Sequence, residues 1–111
     1  MMAYDDGLAD LMRTALAEFS GVTEQKMFGG LAFMLNGHMV CGVHKGGGMF
    51  RVGKDREEAA LTIPGVGLMG FPNGRRMPGM VDASDATVRD DIIRGKLIDL
   101  SLDHVRSLPA K

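Results

Sequence analysis

The stretch Leu31-Ala32-Phe33-Met34-Leu35-Asn36-Gly37-His38-Met39-Val40-Cys41-Gly42-Val43 decides the fold. Two short apolar runs flank a single Asn-Gly dipeptide. A two-residue type I′ turn needs positive φ at both central positions, and Asn-Gly meets that demand at little steric cost. The segment therefore predicts a β-hairpin. Just downstream, Gly46-Gly47-Gly48 is expected to reverse the chain again, into a third strand over Met49-Phe50-Arg51-Val52.

Helices are expected on both sides of this sheet segment. Leu8, Leu11, Met12, Ala15, Leu16 and Phe19 fall on one face of a 3.6-residue period, which predicts a helix from Asp5 or Asp6 to Phe19. Acids at its start complement the helix dipole, and Ser20-Gly21 supplies a stop. Lys54 to Leu61 is rich in helix formers and ends before Pro64-Gly65, so a short second helix is expected. Leu68-Met69-Gly70-Phe71 and Met77-Pro78-Gly79-Met80-Val81, separated by Pro72-Asn73-Gly74, predict a second hairpin. Pro78 cannot donate to a ladder and suits an edge strand. From Asp85 to Leu108, Val88, Ile92, Ile93, Leu97, Leu100, Leu102, Val105 and Leu108 keep helical spacing, with Ser84 or Asp85 as N-cap and Gly95 weakening the middle. The resulting order is α-β(3)-α-β(2)-α. Joined by hairpins, such strands form an α+β domain with an antiparallel sheet and helices on one face.

Bulk properties narrow the function. A chain of 111 residues suits one domain over 1–111, and 45% hydrophobic with 24% charged residues is ordinary globular composition. A formal net charge of −1 disfavours a surface built wholly for nucleic acid, although local contact stays open. Cys41 stands alone, so no intramolecular disulfide exists and a reducing compartment fits. The N-terminus is acidic where a signal peptide is basic, and no apolar run approaches about 18 residues. Neither secretion nor membrane spanning is expected; the expected location is the cytoplasm.

Several motifs imitate chemistry. Gly48 to Lys54 follows most of a phosphate-binding loop, but Asp55 stands where the magnesium-binding hydroxyl belongs and the interior reads as a strand. Gly65-Val66-Gly67-Leu68-Met69-Gly70 spells a dinucleotide fingerprint, yet it leads into Phe71-Pro72 instead of opening a helix. His38, Cys41 and His44 have the look of metal ligands, but strand alternation places both histidines on one face and the cysteine on the other. A Cys41/His104 nucleophilic pair lacks an assignable third group. No catalytic residue, metal site or cofactor is expected.

Two uneven distributions stand out. Seven methionines, Met27, Met34, Met39, Met49, Met69, Met77 and Met80, lie in expected sheet segments. Core filling against the helices is the favoured use, with a methionine-lined groove for a partner as the alternative. Residues 38–80 hold Lys45, Arg51, Lys54, Arg56, Arg75 and Arg76 against Asp55, Glu57 and Glu58, a local basic excess. A solvated face explains it, and a patch for an acidic partner is the functional reading. With one tyrosine and no tryptophan, base stacking is poorly served.

Lys26-Met27-Phe28-Gly29-Gly30 after the first helix, the Asn36-Gly37 hairpin, Phe50-Arg51-Val52, and Phe71, Gly74, Met77, Gly79 and Met80 at their spacing resemble the N-terminal domain of the TfoX/Sxy competence-regulator family. The resemblance spans nearly the whole chain. It implies a secretion-chaperone-like fold, a bacterial source, and a link to transcriptional control of DNA-uptake competence in the longer, two-domain members. This chain ends soon after its last helix and is expected to be a stand-alone form without the C-terminal helical domain. The expectation is a non-catalytic, homodimeric interaction module that contacts a transcription-machinery protein through Lys45, Arg51, Lys54, Arg75 and Arg76. A small-molecule sensor with a pocket beneath the second hairpin is the alternative, followed by a small enzyme using Cys41 or His104.

Overall fold

In chain order the protein forms helix α1 (Asp6–Leu16), strands β1 (Thr23–Met27), β2 (Gly30–Leu35), β3 (His38–His44) and β4 (Gly47–Arg51), then a 3-10 turn (Lys54–Arg56) running into helix α2 (Glu57–Leu61). Strands β5 (Val66–Gly70) and β6 (Arg76–Ser84) follow, then helices α3 (Asp85–Arg89) and α4 (Asp91–Arg106). This is a computed structural model that describes residues 4–27, 29–70 and 74–110. Phe28 of the Lys-Met-Phe-Gly-Gly pentad, Phe71, and the Pro72-Asn73 half of the expected second turn lie outside the described residues. The fold is α+β, with one six-stranded antiparallel sheet in the order β1-β2-β3-β4-β6-β5.

The Asn36-Gly37 turn forms as its chemistry requires. Both residues take positive φ, 55° and 83°, and Leu35 pairs with His38 across it. The next reversal uses only Lys45-Gly46, because Gly47 and Gly48 already belong to β4. Their lack of a side chain is spent on close approach. A Cβ at Gly48 would sit 2.9 Å from Val88 Cγ2 of α3, and one at Gly47 would meet the Ala83 carbonyl of β6.

Four strands, not three, precede α2. The extra one, β1, reads Thr-Glu-Gln-Lys-Met and is mostly exposed, so no apolar alternation marks it in the sequence. It exists because β2 offers a free edge, and it is braced from the helix side by Arg13. That guanidinium forks onto Glu24, with Nε to Oε2 at 2.5 Å and Nη2 to Oε1 at 2.9 Å.

The last expected helix is also two. Asp90 leaves helical geometry at φ −74° and ψ 118°, and its side chain accepts from the Ile92 and Ile93 N–H groups as a new N-cap. Arg94 secures the corner, donating to the Val88 carbonyl at 2.8 Å and to Asp91 at 2.6 Å. Pro78 lies on β6, an interior strand, and not on an edge. It falls beyond the last β4–β6 partner pair, Arg51 and Met80, and inside the irregular stretch of the β5–β6 register, so the ladder loses nothing by its missing N–H.

One core forms between the sheet and the helices. Leu8, Met12 and Leu16 of α1, Val88 of α3, and Leu97, Leu102 and Val105 of α4 meet Phe33, Val43, Phe50 and Val81 from the sheet, and Ala60 of α2 joins the same cluster. Among the described methionines only Met12 belongs to it. Met34, Met39, Met49 and Met80 alternate with core residues and so face away from the helices. The expectation that strand methionines pack against the helices is thereby overturned. They share the opposite face with Ala32 and Gly42, where a Cβ on Gly42 would touch Met49 Cε at 2.7 Å. Among the described residues no helix is long and apolar enough to cross a membrane.

Candidate functional site

Of the five cations expected to form a contact patch, Arg51 and Lys54 come together and the other three are placed elsewhere. Lys45 sits in the turn at the opposite end of β4 from Arg51. Arg76 forms an ion pair with Glu57 Oε1, while Glu57 Oε2 accepts from the Gly79 N–H at 2.8 Å. Instead of projecting freely from a hairpin tip, Arg76 helps tie β6 to α2. Arg75 precedes it on the exposed surface.

Arg51 and Lys54 line a cavity of about 310 Å³ together with Asp55, Pro78, His104 and Leu108. Two glycines make the site. Gly53 takes φ +86°, and a Cβ there would collide with His104 Nδ1, so α4 can lay its imidazole on this backbone only because the position is glycine. Gly79 takes φ +82°, and its carbonyl accepts from the Gly53 N–H at 3.0 Å. Burial and the nearby Arg51 and Arg56 hold His104 below the ordinary histidine range, with Asp55 opposing them. The ring is therefore neutral near pH 7. Among the described residues neither its nitrogens nor the Arg51, Lys54 and Arg56 side chains have a hydrogen-bond or ion-pair partner.

The other candidates separate. The β2–β3 register shifts between Phe33 and Met34, leaving Val40 as the bulged residue. The bulge reverses the expected alternation: His38 turns to the core side with Cys41, and His44 lies on the open face. His38 Nε2 contacts the Pro109 carbonyl at 2.7 Å, and its buried Nδ1 has no partner among the described residues. Cys41 is wholly buried, which pushes its thiol well above the usual range, so it carries no thiolate at neutral pH. His44 Nε2 meets Asp82 Oδ1 at 2.5 Å. Among the described residues no three His, Cys, Asp or Glu side chains converge as a metal site. The Gly48–Lys54 run is mostly β4, and Gly65 to Gly70 leads into β5, so neither cradles a phosphate before a helix.

A family profile described as the TfoX N-terminal domain matches residues 14–105. The chain belongs to the TfoX N-terminal domain family. Comparison with curated proteins and with solved structures returns no match. The TfoX N-terminal domain match takes in the entire sheet and α2, α3 and nearly all of α4, so the cavity walls from Arg51 to His104 fall inside it.

Sequence reasoning weighed His104 only as a partner for Cys41, and counted Arg56 without assigning it a place. It missed Gly53 and Gly79. Val52-Gly53-Lys54 marks a turn after a strand, but that α4 of this TfoX N-terminal domain crosses the turn is a long-range fact with no local signal.

Proposed function

We infer that this TfoX N-terminal domain is a non-catalytic interaction module that works in the bacterial cytoplasm, self-associates as a homodimer, and contributes to competence-related transcriptional regulation through protein contacts. The observation that carries this reading is the sheet face opposite the helices. Met34 and Met39 are half-buried there and, with the more buried Met49 and Met80, lie over the side-chain-poor Ala32 and Gly42, an apolar layer that no helix among the described residues packs against. Unbranched methionines adapt to a partner's shape, which suits an interface more than a rigid core. The buried Cys41 thiol weakens the enzyme alternative, since a nucleophile must be ionised and reachable.

The test is multi-angle light scattering at high micromolar concentration on the wild type and on Met34→Lys/Met39→Lys. A dimeric wild type and a folded monomeric variant are expected; a monomeric wild type overturns the self-association. Affinity capture from nuclease-treated lysate addresses the regulatory role. Recovery of a transcription-machinery protein from wild type but not from the variant supports it, and recovery that disappears with nuclease assigns the contact to nucleic acid instead.

A further inference from the structure

We propose that the cavity between the end of β4 and the C-terminal half of α4 is a binding site for a small phosphorylated metabolite, held by Arg51, Lys54 and His104. This goes beyond the interaction-module reading and stands independently of the methionine-rich face.

The charge arrangement argues for an anion. Arg51 and Lys54 reach the cavity wall without a carboxylate partner among the described residues, and Arg56 lies close enough to repel charge on His104. Elsewhere guanidiniums meet carboxylates: the exposed Arg13 and Arg89 pair with Glu24 and Asp85, and the buried Arg94 with Asp91. Arg51 and Arg56 are half-buried and Lys54 is exposed, so water screens their mutual repulsion only in part, and an anionic ligand offsets the rest. Among the described residues Asp55 is the one acid on the wall, against Arg51 and Lys54.

Size and backbone refine the ligand class. A volume of about 310 Å³ falls at the small end of ligand pockets, fitting a phosphate with a few carbons and not a polymer. Pro78 and Leu108 supply apolar surface for that carbon portion. The Gly53 and Gly79 N–H groups are already used, by the Gly79 carbonyl and by Glu57, so recognition falls to the side chains. Arginine offers a planar fork, lysine a point charge, and an imidazole that gains a proton next to a dianion adds a third donor.

The groups facing His104 set the pH dependence. Arg51 from β4, Arg56 from the 3-10 turn and His38 from β3 disfavour its charge, and Asp55 favours it. A bound dianion tips this balance toward protonation, so binding takes up a proton and affinity rises as pH falls. Sulfate, which stays a dianion throughout the range, separates this effect from protonation of phosphate itself.

The experiment is a two-dimensional amide NMR titration of the full chain with inorganic phosphate, sulfate and glycerol 3-phosphate, at constant ionic strength. Saturable shifts centred on Gly53, Lys54, Gly79 and His104 are expected, with glycerol 3-phosphate binding more tightly than inorganic phosphate. Arg51→Gln and Lys54→Gln should each weaken affinity by about tenfold, and Lys45→Gln, at the far end of β4, should leave it unchanged. Sulfate affinity should rise between about pH 8 and about pH 6 in the wild type and lose that rise in His104→Gln. Non-saturating shifts spread over the basic surface, or equal weakening by Lys45→Gln, overturn the proposal. Preference for succinate over glycerol 3-phosphate also overturns it, in favour of a carboxylate site.

Discussion

Glu57 shows how much one side chain can hold. It is buried on α2, yet its two carboxylate oxygens reach both Arg76 and the Gly79 N–H of β6. Truncation strands a buried N–H and leaves a guanidinium without its partner, and such losses cost about 1–3 kcal/mol. Glu57→Ala should therefore lower stability in urea denaturation by an amount in that range, and Glu57→Gln, which keeps an acceptor for Gly79, should recover part of it. Nothing in Arg56-Glu57-Glu58 tells which glutamate turns inward, because both suit the first turn of a short helix equally.

Among the elements, the junction of α3 and α4 departs most from a simple periodic reading. Apolar spacing from Val88 to Leu108 passes smoothly through Asp90, which made one long helix the natural expectation. The break lets α3 seat Val88 over Gly48 while α4 sets its own angle across β3 and β4. Asp90→Ala removes a cap that satisfies two N–H groups, and such caps are worth about 1 kcal/mol. Denaturant unfolding should show that loss with an unchanged m-value, and a variant as stable as wild type would show that water serves those groups equally well. An Asp-Asp pair ahead of Ile-Ile was a visible cap signal, outweighed by periodicity. β1 left fainter traces, since its polar residues become a strand only because β2 is beside them.

At the scale of the molecule, the sheet is asymmetric: one face carries the core and the other carries methionine, alanine and glycine crossed by a His44–Asp82 pair. This pair spans from β3 to β6 over β4, whose Gly47 is the register partner of His44 and whose Met49 is that of Asp82. In the neutral ring Nε2–H donates to Asp82 and Nδ1 accepts from the Gly46 N–H at 3.1 Å. The hydrogen bond to Asp82 is the main influence raising the His44 pKa above its ordinary value. A raised folded-state pKa gives stability that is complete below the unfolded pKa and is lost as pH rises through the folded one. The difference in Tm between wild type and His44→Gln should thus be largest near about pH 6 and shrink toward about pH 8. A pH-independent difference would show that the pair contributes no charge-linked stability. His104, shifted the opposite way, is common to both proteins and cancels in the comparison.

The sequence by itself determined the α+β class, the Asn36-Gly37 hairpin, the first helix and the order of most elements. These rest on forces acting within a few residues: the φ demands of a turn and the 3.6-residue period of an amphipathic face, although α1 ends at Leu16, ahead of Phe19 and of the stop expected at Ser20-Gly21. Only the tertiary structure decided which face each strand residue occupies and which distant side chains meet. One bulged residue, Val40, sends His38 and His44 to opposite faces, and the pairing of β4 with β6 turns Met49 and Met80 outward. The seating of α4 on Gly53 brings His104 to Arg51 and Lys54. Register and helix docking are collective properties of the whole sheet and core, so no window of a few residues contains them.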